Sequence, residues 1–175
     1  MVGEIRDTET AEISIRSALT GHLVFSTLHT NNAIDAIPRL YDMGIEPYLV
    51  VSALNGVMAQ RLVKRVCKDC AHTREASPVE KEIFKKRNME IDHVTIGLGC
   101  DACRNTGYRG RMAIHELVVI TDKIKSLMMN KASIQEIKEH VKQTGVRFLV
   151  DDGLEKVKQG KTTIEEVLRV ATLED

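Results

Sequence analysis

The sequence predicts an α/β fold in three regions: a partial α/β layer, a cysteine-containing lobe and a small helical part. Residues 1–66 alternate short apolar runs with helical patterns, as the strands and helices of α/β units do. Residues 67–116 contain all four cysteines and several glycines, whereas residues 117–175 show helical periodicity and helix-capping sequences. We therefore expect three domains with these boundaries.

The first region should begin with a strand, a helix and a second strand. Val2 is expected to end a buried strand, and His22–His29 has the β-branched and apolar residues of another. Between them, one helical face is apolar and Gly21 should end the helix; that face consists of Ala11, Ile15, Ala18 and Leu19. Because a buried strand normally runs about five residues, Val2 predicts that the sequence starts inside a strand and is part of a longer chain.

Further elements follow from their terminal residues. We expect a helix over 33–43 that stops at Gly44, a short helix opened by Pro47, and a strand over 57–66. In the second region, Ser77-Pro78-Val79-Glu80 is a strong helix start, and the charges over 80–87 are expected to form a solvated helix face.

The third region is predicted to be helical throughout. Ser133-x-x-Glu136 and Thr163-x-x-Glu166 have the sequence of reciprocal helix caps. The apolar stripes that follow them are Ile134, Ile137 and Val141, and then Ile164, Val167, Leu168 and Ala171.

Composition excludes several functional classes. The 175 residues include 25 basic and 25 acidic side chains, so the formal net charge is zero, and aromatic residues make up only 3%. Nucleic-acid binding normally requires a basic excess and often stacking aromatics, and we therefore expect no nucleic-acid partner. No apolar run approaches the roughly 18 residues of a membrane span, and the N-terminus lacks the features of a signal peptide. The cytoplasm is the expected compartment.

The most specific local pattern is the pair Cys67-x-x-Cys70 and Cys100-x-x-Cys103. Two such turns can place four thiolates around one Zn²⁺ ion, and a complete S₄ set leaves no open position, so the zinc should be structural. Redox-active thiols and unligated core cysteines are the alternatives. His72 is expected to be a surface residue rather than a ligand.

Two polar clusters follow the predicted strands. Glu4 and Asp7 lie just after the first strand, where a carboxylate can orient water or help hold Mg²⁺ against a triphosphate. His29 lies at the end of the second strand, where it can donate a hydrogen bond to a γ-phosphate, whereas His22 begins that strand. The structural alternatives are that Asp7 or Thr8 caps the next helix and that His29 caps a turn. The residues alone leave both interpretations open.

These patterns together resemble the type II secretion and type IV pilus assembly ATPases. Residues 3–10 (GEIRDTET) and 19–31 (LTGHLVFSTLHTN) are similar to the Walker B motif and His box of that family. Residues 59–67 (AQRLVKRVC) and 103–111 (CRNTGYRGR) resemble the segments that enter and leave its tetracysteine domain, and residues 152–167 resemble its C-terminal helices. The resemblance spans nearly the whole chain, with the motifs in the family's order.

The resemblance implies a mechanism and partners. Members are hexamers of a RecA-like fold that hydrolyse ATP at subunit interfaces and act on an inner-membrane platform protein. The first region would then be the C-terminal half of a RecA-like P-loop sheet, using ATP and Mg²⁺ as part of a homo-hexamer, cytoplasmic and peripheral to the inner membrane.

The same resemblance assigns roles to individual residues. Glu4 matches the Walker B glutamate and His29 the His-box residue near the γ-phosphate. Arg6, Asp7 and His22 belong to the same two motifs and are expected near the nucleotide. Cys67, Cys70, Cys100 and Cys103 match the family's zinc ligands.

The main departure is the missing Walker A loop, G-x-x-x-x-G-K-[ST], which cradles the β- and γ-phosphates. Gly160-Lys161-Thr162 lacks the upstream glycine because Glu155 occupies that position. We therefore expect the chain alone to be inactive, and a half-sheet with open edges to associate or aggregate. Two other functions remain possible: a zinc ribbon that binds nucleic acid or protein, and a non-catalytic, zinc-stapled interaction subunit.

Overall fold

The computed structural model describes residues 1–172, in which three helices precede and four follow a middle part that contains the strands. In order they are α1 (Thr8–Leu19), α2 (Ala36–Asp42), α3 (Pro47–Ala53), β1 (Gly56–Val66), β2 (Ala71–Glu75), α4 (Pro78–Lys85), β3 (His93–Gly97), β4 (Tyr108–Val119), α5 (Asp122–Met129), α6 (Ile134–Gln143), α7 (Leu149–Lys158) and α8 (Ile164–Leu168). Strand β1 pairs with β4, and β2 pairs with β3. No helix in this part of the chain is long and apolar enough to cross a bilayer.

The chain divides into two compact units, each assembled from separate stretches of sequence. The first unit comprises residues 1–59 and 117–146, and the second comprises residues 60–116 and 147–175. The three sequence regions stay a prediction of domain organisation.

The first unit is a helical layer around an aliphatic core. Helix α3 packs against α1, α2 and α5, and α5 packs against α6. The side chains that close this core are almost fully buried and include Ala11, Ile34, Ile37, Val50, Ile124, Met128 and Ile137. Helices α1, α5 and α6 begin where Asp7, Thr121 and Ser133 accept a backbone N–H of the first turn, so local sequence sets where each helix starts.

The second unit joins a two-stranded antiparallel sheet, whose strands are connected through α4, to the last two helices. In the β2–β3 ladder Ala71 faces Gly97, Thr73 faces Thr95 and Glu75 faces His93. Helix α7 packs against β3 and α8. The core of this unit is built from Val63, Phe84, Val94, Ile114, Leu149, Leu154 and Val167.

Most predicted helices are present with small shifts. Helix α1 ends before Gly21, which has a positive φ, and Pro47 opens α3 as expected. Helix α2 begins at Ala36 instead of Ala33, because Asn32 first makes a turn in which its side chain accepts the Asp35 N–H at 2.9 Å. Strand β1 matches the expected strand within one residue.

Four expectations were wrong in detail. Residues 1–5 and 22–29 are extended but form no regular strand, since two backbone hydrogen bonds join them instead of a full ladder. The third region does not start helical, because β4 runs on to Val119. The charged run over 80–87 is not one solvated helix face, because α4 ends at Lys85 and Arg87, beyond it, pairs with Asp151. Glu166 does not complete its capping box because its carboxylate serves Lys64 and Arg169.

Candidate functional sites

The first candidate site is centred on the Glu4 carboxylate, which contacts two cationic or potentially cationic side chains. Arg6 Nε donates to Glu4 Oε2 at 2.6 Å, and His29 Nε2 contacts the other oxygen, Oε1. The Glu4 side chain is only 22% exposed, whereas those of Arg6 and His29 are 73% and 81% exposed. A shielded carboxylate therefore faces two side chains that remain open to a ligand.

Parallel extended segments bring these residues together. The Val2 N–H donates to the Phe25 carbonyl at 2.9 Å, and the Ile5 N–H donates to the Thr27 carbonyl at 3.0 Å. The hydroxyl of Thr27 adds a third bond, to the Gly3 carbonyl at 2.8 Å. Both segments run in the same direction, with α1 as the crossover, so their carboxyl ends meet at one edge. That edge is where ligands bind in open α/β sheets.

Asp7 has the helix-capping role that the residues alone allowed. Its Oδ1 accepts the Thr10 N–H at 2.8 Å at the start of α1. This backbone hydrogen bond lowers the pKa of Asp7 because it stabilises the ionised carboxyl. Any contact of Asp7 with a nucleotide would come in addition to this cap.

His22 lies apart from Glu4, Arg6 and His29, which together form the Glu4 cluster. It is at the other end of the extended segment that leads to His29. Its Nδ1 is 3.2 Å from the Ser17 carbonyl and 3.3 Å from the Thr20 hydroxyl, at the C-terminus of α1. These contacts fix the ring against the end of a helix, where exposed carbonyls favour a donor.

Two residues near this site were missed by sequence reasoning. Thr27 joins the two extended segments, and Asn32 is buried and shapes the turn after His29. The sequence signal for Thr27 was only its β-branched side chain. Asn32 stands in the polar run after His29, which pointed to a ligand-binding edge and not to a specific turn.

The second candidate site is the four-cysteine cluster, in which two short 3₁₀ turns face each other. The Sγ separations are 3.9 Å for Cys67 and Cys100, 3.8 Å for Cys70 and Cys103, and 3.7 Å for Cys100 and Cys103. All four sulfurs lie within 4.8 Å of one another. A tetrahedral zinc site with Zn–S bonds of about 2.3 Å has sulfurs about 3.8 Å apart, so the donor set fits such an ion. His72 is outside this cluster, in the β2–β3 ladder opposite Ile96.

Backbone amides point at these sulfurs. The N–H groups of Cys100 and Gly107 donate to Cys103 Sγ at 3.2 and 3.3 Å, and the Gly99 N–H donates to Cys70 Sγ at 3.3 Å. Burial alone would raise the pKa of Cys103, but the two amides together with the Cys100 and Cys70 thiols lower it to about 6. Burial raises the pKa of Cys70 to about 12 despite its single amide donor. Amide donors are the outer-shell contacts that stabilise metal-bound thiolates; the glycines beside the cysteines were the sequence signal for them.

The two flanks of the second cysteine turn pack backbone directly on backbone, and a hydrogen bond joins one of them to the first turn. A Cβ on Gly97 would lie 2.0 Å from the Gly107 carbonyl oxygen, and a Cβ on Gly107 would lie 2.5 Å from the Gly97 carbonyl oxygen. The Cys67 N–H also donates to the Gly107 carbonyl at 2.9 Å. No side chain fits between these strands, so the cysteine positions are fixed by the main chain.

Gly160-Lys161-Thr162 is not a phosphate-binding loop. It links α7 to α8, and the buried Thr162 hydroxyl donates to the Lys64 carbonyl at 2.7 Å. A phosphate-binding threonine would instead present its hydroxyl to a metal ion in an open loop.

Comparisons with known proteins agree on a single family. Residues 1–169 match the sequence model of the type II/IV secretion system protein family. The chain is 48% identical to the type II secretion system ATPase E of Vibrio cholerae over 170 residues, which is 97% of this chain and 34% of that protein. It is 50% identical to the type II secretion system protein E of Pseudomonas aeruginosa, covering 97% of this chain and 34% of that protein.

A third relative and two solved structures extend the comparison. The chain is 49% identical to the type IV pilus assembly ATPase PilB of Thermus thermophilus, covering 96% of this chain and 19% of that protein. The pilus retraction motor PilT with bound ADP superposes with a TM-score of 0.64 at 25% identity, over 98% of this chain and 39% of that one. The Legionella pneumophila ATPase DotB, at 19% identity and a TM-score of 0.63 over 97% of this chain and 37% of that one, shares the fold. The chain thus spans about a third of most of these proteins.

Proposed function

We propose, from the premise that this chain belongs to the type II/IV secretion system protein family, that it is one part of a hexameric ATPase motor. The motor would hydrolyse ATP to drive pilin or pseudopilin assembly in type II secretion or type IV pilus biogenesis. The observation that carries the proposal is the contact of Glu4 with His29 at the carboxyl ends of two parallel segments. An acid and a donor at that edge suit the terminal phosphate of a nucleotide.

Each polar residue of the Glu4 cluster has a proposed task. Glu4 would act on the attacking water or on the Mg²⁺ ion, since its carboxylate is shielded yet reaches the edge. His29 is exposed and would donate to the γ-phosphate, which requires it to exchange its contact with Glu4 for one with the ligand. Arg6 would hold the second carboxylate oxygen, so the direction in which Glu4 faces is set by its neighbour.

The remaining parts of the motor lie outside the residues of this chain. The 175 residues of this chain do not include the phosphate-cradling loop, and we therefore propose that the chain alone does not turn over ATP. In the complete protein the loop would precede Glu4 by about 70 residues, an estimate from α/β unit lengths. The complete protein would form a homo-hexamer in the cytoplasm and act on an inner-membrane platform protein.

For the four cysteines we propose a structural Zn²⁺ ion. Their sulfur separations and amide donors support tetrahedral thiolate ligation, and four protein ligands leave no position for chemistry. The ion would staple the two 3₁₀ turns together. A second candidate function is that of a non-catalytic, zinc-stapled interaction subunit. Only one observation favours it: the Thr162 hydroxyl donates to the Lys64 carbonyl, so Gly160-Lys161-Thr162 cannot serve as a phosphate site.

The experiment that separates the two candidates compares this chain with a longer protein that includes the residues encoded upstream. The motor proposal predicts a G-x-x-x-x-G-K-[ST] loop upstream, ATP turnover by the longer protein, and none by the chain. Unrelated upstream sequence, or a longer protein that folds and contains the loop but neither binds nor hydrolyses ATP, would favour the interaction subunit.

A further inference from the structure

We propose that the four cysteines and the two C-terminal helices, α7 and α8, are thermodynamically linked. Metal held by the cysteines stabilises the docked helices, and docking of the helices strengthens metal binding. The inference rests on the proposed zinc binding and concerns only the second unit, which contains both elements.

The end of β1 is where the two elements meet. The Val66 N–H donates to the Lys161 carbonyl at 3.0 Å, and the Thr162 hydroxyl donates to the Lys64 carbonyl at 2.7 Å. The next residue, Cys67, is the first of the four sulfur donors and is almost fully buried. One short strand end therefore carries both the α7–α8 link and a metal ligand.

A buried carboxylate on α8 reinforces this junction. Glu166 Oε2 accepts the Lys64 N–H at 2.8 Å and a bond from Arg169 Nη2 at 3.0 Å, while Oε1 lies 3.6 Å from Lys64 Nζ. Its side chain is only 7% exposed. If β1 moves, this carboxylate loses both contacts with Lys64 and keeps only Arg169, which is costly for a buried charge.

The second pair of cysteines reaches the same helices through its own flank. The Tyr108 hydroxyl is 2.9 Å from the Thr163 hydroxyl, which also accepts from the Glu166 N–H at the start of α8. Adjacent to Tyr108, the Gly107 N–H donates to Cys103 Sγ. The first cysteine turn thus begins one residue after Val66, and the second is joined to the neighbour of Tyr108 by the Gly107 amide.

Linkage follows because neighbouring residues of the same two strand ends serve both elements. Metal binding fixes the 67–70 and 100–103 turns, which fixes the strand ends that residues 161–166 bind. A coupling of this kind is reciprocal, so docking strengthens metal binding by the same factor by which metal binding strengthens docking.

The first test uses the unmodified chain. Hydrogen exchange is measured on the zinc-loaded protein and on protein treated with a chelator, with zinc content verified by elemental analysis. We expect α7 and α8 to exchange at least tenfold faster after zinc removal, while α6, in the first unit, keeps its rate. Unchanged protection of α7 and α8 in protein shown to be zinc-free would overturn the linkage.

The second test measures zinc affinity in two matched variants by competition with a chromophoric chelator. Thr162→Val removes a hydroxyl that donates at 2.7 Å to the Lys64 carbonyl, and Thr8→Val removes one that donates at 2.7 Å to the Met43 carbonyl in the first unit. We expect Thr162→Val to raise the zinc Kd about fivefold or more and Thr8→Val to leave it within about twofold. Equal affinities in both variants would contradict the linkage.

Zinc stoichiometry distinguishes the two possible failures. A chain that never retains zinc refutes the proposed metal site and with it the linkage. A chain that holds one equivalent, but whose helices and affinity do not respond to each other, refutes the linkage alone.

Discussion

The Glu4 cluster and the four-cysteine cluster are held together in opposite ways. Glu4, Arg6 and His29 meet because two extended segments share two backbone hydrogen bonds and one threonine hydroxyl, and two of the three side chains are mostly exposed. In the four-cysteine cluster the second turn is closed by backbone packed directly on backbone at Gly97 and Gly107, and the Cys67 N–H donates to the Gly107 carbonyl. A site that must exchange partners during turnover needs loosely held side chains, whereas a structural metal site needs a fixed frame.

The largest expected effect concerns the closely packed backbone of the four-cysteine cluster. Gly107→Ala places a Cβ 2.5 Å from the Gly97 carbonyl oxygen, whereas Gly110→Ala meets nothing within 4 Å; both positions have a positive φ, of 75° and 78°. Both variants share the backbone strain of about 1 kcal/mol, and only the first adds the clash, so we expect it to lose about 3 kcal/mol or more. Urea unfolding measures the loss of stability, and elemental analysis measures the zinc content. Equal losses of stability in the two variants would show that the backbone around Gly107 is not closely packed.

A smaller loss is expected from the buried ion pair that holds α7. Arg87 Nε and Nη2 donate to the two carboxylate oxygens of Asp151 at 2.7 and 2.9 Å, and both side chains are at most 20% exposed. Arg87→Ala leaves Asp151 without this partner and should cost about 2 kcal/mol. Lys86→Ala removes the neighbouring exposed cation at the end of α4, paired with Glu82 at 3.7 Å, and should change stability by less than about 0.5 kcal/mol. Similar losses for both would place the Arg87 pair among ordinary surface pairs.

Acid should weaken the second unit through Glu80. The Arg74 guanidinium, which binds both carboxylate oxygens at 2.8 Å, lowers the pKa of Glu80 to about 2. Because the folded-state pKa is below the unfolded value, this contribution is present above about pH 4.5 and is lost as the pH falls towards 2. Since Arg74 is partly exposed, we expect the contribution of this pair to the free energy of unfolding to be about 1 kcal/mol or less. Between pH 4.5 and 2 the urea midpoint of Glu80→Gln should therefore decline less than that of the unmodified chain. A decline as steep as in the unmodified chain would exclude Glu80 as a cause.

The smallest expected effect on stability concerns the Glu4 cluster, where few hydrogen bonds join the two segments. Thr27→Val removes the exposed hydroxyl bond to the Gly3 carbonyl, and we expect a stability change of less than about 0.5 kcal/mol. Thermal unfolding measures it. A loss approaching that of Arg87→Ala would mean that the Glu4 cluster is as rigidly built as the cysteine cluster.

Sequence reasoning succeeded where the signal was local. The capping boxes at Ser77 and Ser133, the Pro47 helix start and the paired C-x-x-C turns all depend on residues a few positions apart. Family resemblance supplied Glu4 and His29, and the residues alone did not choose between ligand binding and capping. The sequence could not predict that each unit is built from separate stretches of chain. The contacts that join those stretches lie far apart in sequence: Glu166 and Lys64 are separated by 102 residues, and Asp151 and Arg87 by 64. The missing ladder between residues 1–5 and 22–29 was also unpredictable, since strand propensity does not reveal how many hydrogen bonds a neighbour provides.

ATP turnover by a longer protein that includes the phosphate-binding loop tests most directly whether Glu4 does the chemistry. Glu4→Gln should lower kcat by about 100-fold or more while ATP binding persists. Glu12→Gln, the same change on the exposed face of α1, should turn over ATP at the unmodified rate. A Glu4→Gln protein that hydrolyses ATP as fast as the Glu12→Gln protein would contradict the catalytic role of Glu4.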